Sequence, residues 1–179
     1  APHLLTCSFV VGSRGPGNNY AIRPEDAVAR FEIADVERRF ASVAWESPLD
    51  GLRTILLQLD GPVPGADAVP IVTNPWQPSD DAPTPRVVVV AHPGGRGLEF
   101  SLRDASLVDA DDWRVHYRAG TEGGSSGGLV LEEDRLRALA IHSSRGDLPR
   151  LHCKAGTYLV CEGVSLPAIQ KAVRASVNG

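Results

Sequence analysis

Seven of the chain's 14 prolines stand between Gly61 and Pro85, in GPVPGADAVPIVTNPWQPSDDAPTP. Proline removes backbone donors and fixes φ, so this stretch supports neither a helix nor a central strand, and it reads as a connector. The chain must therefore fold on either side of it, as residues 1–60, a 61–85 connector and residues 86–179. On the N-terminal side, LLTCSFVV (4–11), ARFEIADVE (29–37), FASVAWE (40–46) and TILLQL (54–59) read as strands, and PEDAVA (24–29) as one helical turn opened by Pro24. Beyond the connector, RVVVVAH (86–92), LEFSL (98–102), WRVHYRA (113–119), SGGLVLEE (126–133), LRALAIHS (136–143) and TYLVCEG (157–163) read as strands at sandwich or barrel spacing. SLPAIQKAVRASV (165–177) is helical, with Ser165 as N-cap and Leu166, Ile169 and Val173 on one face. The fold class is all-β with one terminal helix.

Composition removes several functions. Net charge is −4 and the basic residues are scattered, so neither nucleic acid nor an anionic membrane is expected as partner. No apolar run nears the ~20 residues of a membrane span. The three cysteines, Cys7, Cys153 and Cys161, lack metal-type spacing, so no metal and no cofactor is expected, and they fit a reducing, cytoplasmic setting better than a disulfide framework. Sixteen of the 18 basic residues are arginine, a bias of genome composition rather than mechanism; the chain opens at Ala1 and contains no methionine, so it reads as a domain cut from a longer polypeptide or a processed product.

The chemistry concentrates in TEGGSSGGLV, residues 121–130. A Gly/Ser linker does not run directly into the strand-like LVLEE, and a phosphate-binding loop needs a Lys after its glycines. Gly124-x-Ser126-x-Gly128 also matches a nucleophile elbow, which requires a strand before the serine and a helix after it; here a loop precedes and a strand follows. What remains is a tight loop that exposes Ser126 while the Gly124 and Ser126 amides converge on one point, as an oxyanion hole requires.

This loop, with AIHSSRG (140–146), CEGVSLPAI (161–169) and AHPGGRG (91–97), resembles the C-terminal half of bacterial trypsin-like serine peptidases, the chymotrypsin-fold group that includes glutamyl endopeptidases. The resemblance implies two six-stranded Greek-key barrels with the active site between them and a C-terminal helix. The N-terminal barrel would lack its first strands and leave an edge for further segments of a longer polypeptide, or a partner, to complete. It implies Ser126 as nucleophile, and Thr121 and His142 at the substrate pocket, where an imidazole meets an acidic or amide side chain. Ser125 replaces the acidic residue that often precedes the nucleophile.

The same resemblance marks what is missing. The histidine motif is Leu-Leu-Thr, two residues, then His-Val; this chain reads Leu4-Leu5-Thr6-Cys7-Ser8-Phe9-Val10, with Phe9 at the histidine position. The aspartate motif is Leu-Asp before an apolar strand; Leu52-Arg53-Thr54 puts Arg53 in place of the acid, with Asp50 three residues upstream. His3 lies roughly 20 Å from Phe9 along an extended segment, and His92 and His116 read as structural. A serine without an imidazole is a poor nucleophile. The expectation is a pseudoprotease or regulatory module that binds a peptide or protein in the inter-barrel cleft. Its alternatives are an active serine endopeptidase preferring acidic or amide residues, and a structural domain of a multidomain protein.

Overall fold

The computed structural model describes residues 2–15, 17–79 and 83–177. The chain divides into two compact units, Ala1–Ala68 and Val69–Gly179.

The first unit is a four-stranded antiparallel sheet in the order β1-β4-β3-β2, made of β1 (His3–Cys7), β2 (Val28–Phe31), β3 (Val36–Glu46) and β4 (Thr54–Leu59). β4 is fixed by alternation: Ile55, Leu57 and Leu59 are buried along one face. β1 pairs along it from His3↔Gln58 to Cys7↔Thr54 and stands at the sheet edge. Two expectations need correction. The 4–11 segment is not one strand; β1 ends at Cys7, whose carbonyl accepts the Val10 and Val11 amides, so Phe9 sits on a turn. Nor is 29–37 continuous. It breaks at Glu32–Asp35 into the β2–β3 hairpin, with Asp35 at φ 48°, a left-handed position that Asp tolerates through its short polar side chain. Pro24–Asp26 forms a single 3-10 turn.

The second unit is a seven-stranded antiparallel sheet in the order β6-β5-β9-β10-β11-β8-β7. Its strands are β5 (Val87–Ala91), β6 (Glu99–Ser101), β7 (Ser106–Ala110), β8 (Arg114–Arg118), β9 (Leu129–Glu132), β10 (Ala138–Pro149) and β11 (Thr157–Ser165). The Val87 amide donates to the Ala105 carbonyl and the Leu107 amide to the Pro85 carbonyl, which carries β7 back to the start of β5 and closes the sheet. Closure removes the aggregation-prone edge there. Val87, Val89, Leu107, Tyr117 and Val130 fill the interior. The late connector belongs to this core: the Val72 amide donates to the Ala138 carbonyl, and Trp76 packs on the cluster.

The resemblance implies six strands per barrel; among the described residues the first unit has four and the second seven. The seventh, β7, was not read from the sequence because Asp109 interrupts it, yet Asp109 is buried, held by Lys154 Nζ at 3.1 Å and His152 Nε2 at 3.2 Å. β9 starts at Leu129 rather than Ser126, and β10 runs past Ser143 to Pro149 with a bulge between His142 and Ser144. The terminal helix α1 (Leu166–Val177) forms as its pattern predicts: Ser165 Oγ accepts the Ala168 amide at 3.5 Å. Leu166 and Ile169 are buried, each contributing roughly 1.5–3 kcal/mol.

Candidate functional site

The loop between β8 and β9 is shaped by short local bonds. The Ser125 amide donates to the Glu122 carbonyl at 3.1 Å and the Gly128 amide to the Ser125 carbonyl at 2.9 Å, two successive turns about Ser126. β10 clamps the loop from below: the Gly127 amide donates to the His142 carbonyl at 2.8 Å, and the His142 amide to the Gly128 carbonyl at 2.7 Å. Gly124 is glycine of necessity. It sits at φ 95°, and a Cβ there would lie 2.9 Å from the Gly94 nitrogen and 3.0 Å from the His92 oxygen.

The His92–Gly95 segment, part of AHPGGRG, has a definite task. The Gly94 amide donates to the Gly123 carbonyl at 2.6 Å. A trans peptide points its N–H opposite to its C=O, so this bond turns the Gly124 amide away from the 92–95 loop. Among the described residues neither the Gly124 nor the Ser126 amide donates a hydrogen bond to another residue. Two amides two residues apart, unspent and held by a rigid frame, are what an oxyanion hole requires.

Among the described residues no imidazole hydrogen-bonds the Ser126 hydroxyl. Ser126 Oγ donates to the Ser143 carbonyl at 3.0 Å. His142 is buried; its Nδ1 lies 2.6 Å from Tyr117 Oη, and burial lowers its pKa to about 4. Thr121 is also buried, its hydroxyl 3.3 Å from Cys161 Sγ. Thr121 and His142 thus lie beneath the loop, joined through the β11 and β8 neighbours Cys161 and Tyr117, which pair in register. The other histidines of this unit are engaged elsewhere. His92 Nδ1 donates to the Arg96 carbonyl at 3.1 Å, His116 lies between Tyr158 Oη at 2.8 Å and Glu162 at 3.0 Å, and His152 contacts Asp109.

In the first unit, Phe9 and Arg53, which stand at the expected histidine and aspartate registers, meet each other. The Ser8 amide donates to the Arg53 carbonyl at 2.8 Å, which anchors the turn carrying Phe9 to the residue before β4. Arg53 stands at φ 53°, and its guanidinium carbon is 5.1 Å from the Phe9 ring centroid. That is a cation–π contact. Asp50 is exposed in the Pro48–Gly51 turn, and His3 is exposed on β1. The two hydroxyls flanking the pair, Ser8 Oγ and Thr54 Oγ1, are buried with no hydrogen-bond partner among the described residues.

Sequence reasoning missed the groups that position the loop: the Gly94 amide, the Ser143 carbonyl and the Tyr117 hydroxyl. Only the glycine pair of AHPGGRG hinted at one of them. Among the described residues no group of three His, Cys, Asp or Glu side chains is placed to hold a metal ion. No helix among them is long and apolar enough to cross a membrane.

No family model and no curated protein matches the chain. Solved structures do. Rv3671c protease in an inactive form matches at 12% identity and a TM-score of 0.60, over 97% of this chain and 78% of that one. A Glu endopeptidase in complex with MPD matches at 14% identity and 0.59, over 98% and 80%. The active form of Rv3671c protease from M. tuberculosis matches at 16% and 0.55, over 96% and 68%. The chain therefore has the fold of these proteases, the chymotrypsin-like double β-barrel with a C-terminal helix.

Proposed function

We propose that this chain is a trypsin-fold pseudoprotease: a module that binds an extended peptide or protein segment along the Ser126 loop and does not cut it. The observation that carries the reading is the Phe9–Arg53 contact. The histidine and aspartate registers are separate motifs, and the residues at them touch each other, as a base and its orienting acid must. The pair is a ring and a guanidinium, which can neither take a proton from a serine nor stabilise an imidazolium. In a serine protease of another fold, loss of the base alone lowers kcat by about 10⁶.

The test incubates the full chain with a library of unmodified peptides. Mass spectrometry should find no new termini, and fluorescence anisotropy should find binding that survives Ser126→Ala. Cleavage abolished by Ser126→Ala would overturn the reading in favour of an active endopeptidase with acidic or amide preference. One observation favours that second reading: among the described residues the Gly124 and Ser126 amides donate to no other residue, so both are available to an oxyanion.

A further inference from the structure

The β10–β11 hairpin outgrows the sheet that carries it. β9 pairs with β10 only at residues 138–141 and β8 with β11 only at residues 161–164, so beyond the Gly146↔Val160 pair the two strands have only each other among the described residues. A two-stranded ribbon alone is marginally stable in water, so this arm needs another hold. It walls a concavity of about 400 Å³, with Arg145, Leu159 and Val160 on its side and Arg103, Arg118 and Ala119 completing the lining. Its base reaches the nucleophile loop: Ser143, whose carbonyl holds the Ser126 hydroxyl, is the bulged residue at the start of the arm.

The hold sits at the tip and is electrostatic. Asp109 on β7 is 6% exposed; His152 Nε2 lies 3.2 Å from one of its carboxylate oxygens and Lys154 Nζ 3.1 Å from the other, both from the residues that join β10 to β11. The Ala110 amide donates to the same carboxylate at 3.0 Å. Of residues 150–156 only Leu151 is buried. The tip that delivers both cations is left-handed at two successive non-glycine residues, His152 at φ 57° and Cys153 at φ 56°. Such residues are strained and persist only where their surroundings dictate them, so the tip is poised to rearrange once its hold is gone.

The other ionisable groups on this side of the sheet are occupied. His116, the cross-strand partner of Asp109 on β8, lies between Tyr158 Oη and Glu162 of β11, and Arg150 stands 4.7 Å over the Tyr158 ring. Burial opposes the Asp109 charge, but the Lys154 hydrogen bond, the Ala110 amide and the charges of Lys154 and His152 together hold the carboxyl below its ordinary 3.8. Asp109 is therefore charged at neutral pH, and its hold is lost only as pH falls through that lowered value.

We propose that the β10–β11 arm is a strap latched to β7 by the Asp109 carboxylate, and that removing this charge frees the tip and opens the concavity that the arm walls. The latch is independent of what lies along the Ser126 loop.

Two thiols report on it. Cys153 is exposed at the tip, and Cys161 is buried in the wall of the concavity, where burial pushes its thiol pKa up and keeps it unreactive. Iodoacetamide at neutral pH, mapped on the full chain by mass spectrometry, should modify Cys153 quickly and Cys161 slowly. In Asp109→Asn, which keeps the shape and removes the charge, Cys161 should react at least tenfold faster while amide exchange in β5 stays as slow as in the parent. Cys161 equally slow in parent and variant would overturn the latch, as would a parent in which Cys161 already reacts as fast as Cys153. If Asp109→Asn also loses protection in β5, its core has failed, and the double variant His152→Gln, Lys154→Gln decides, since both side chains are about half exposed. Faster Cys161 with β5 unchanged in that variant upholds the latch, and unchanged Cys161 overturns it.

Discussion

The Ser8–Val10 turn and the Gly123–Gly128 loop are both tied to neighbouring segments through their backbones: the Ser8 amide to the Arg53 carbonyl at 2.8 Å and the Ile22 amide to the Val10 carbonyl at 2.9 Å, and the Gly94 amide to the Gly123 carbonyl at 2.6 Å and the Gly127 amide to the His142 carbonyl at 2.8 Å. What each frame presents differs. The loop keeps small residues, two amides that donate to no described residue and a hydroxyl, and at Gly124 and Gly128 a Cβ would meet atoms within 3.0 Å. The turn keeps its backbone and presents an exposed-side contact between Phe9 and Arg53, with two buried hydroxyls beside it that bond to nothing described. The loop's backbone demands glycine at 124 and 127, whereas the turn carries Phe9 without such a demand. A turn held through its backbone accepts varied side chains, while a loop with glycines in the left-handed region cannot exchange them without strain.

The largest effect expected from this contrast is at Gly128. A Cβ there would lie 2.7 Å from Ala91 Cβ and 2.8 Å from both the Ser125 and Val90 oxygens, most of it backbone that cannot step aside. Gly128→Ala should destabilise by about 3 kcal/mol, read as a lower urea midpoint. His142 sets the next effect. Its pKa falls from 6.5 to about 4 on folding because burial disfavours the charged form. The unfolded chain therefore binds the extra proton between these values, and stability present above pH 6.5 is lost as pH falls through 4. Between pH 7 and pH 4 the parent should lose up to about 3 kcal/mol more than His142→Gln, measured by denaturant unfolding at each pH.

The proposed registers are tested in the turn. Phe9→His with Arg53→Asp replaces ring and guanidinium by imidazole and carboxylate, and hydrolysis of an activated ester should rise at least tenfold over the parent, about 1.4 kcal/mol in barrier. Phe9→His alone should gain less, because the guanidinium opposes the imidazolium that forms when the serine proton moves. A double variant no faster than the parent would break the register. The smallest effect belongs to Arg53→Gly: it loses an exposed cation–π contact worth ~0.5–1 kcal/mol and relieves a left-handed φ of comparable strain, so stability should stay within about 0.5 kcal/mol.

The same contrast explains what could be read from the chain. TILLQL matches β4 residue for residue because alternation is a local signal, and the Ser126 loop was legible because its glycines answer local demands of φ and close approach. The β2–β3 turn was not, since Ile33 at its tip is almost fully exposed and looks like strand interior. β7 was hidden by Asp109, whose partners His152 and Lys154 lie more than forty residues on. The arginine-lined concavity draws on positions 103, 118 and 145, which no sequence window contains, and only the fold brings them to one space.

The central claim is that Ser126 has an oxyanion frame and no base. It is tested most directly by labelling the intact chain with a fluorophosphonate probe, which reports serine nucleophilicity without requiring a known substrate. Labelling of Ser126 should be no faster than the background measured on Ser126→Ala. Rapid, stoichiometric labelling at Ser126 would show that a base reaches the serine and would contradict the account.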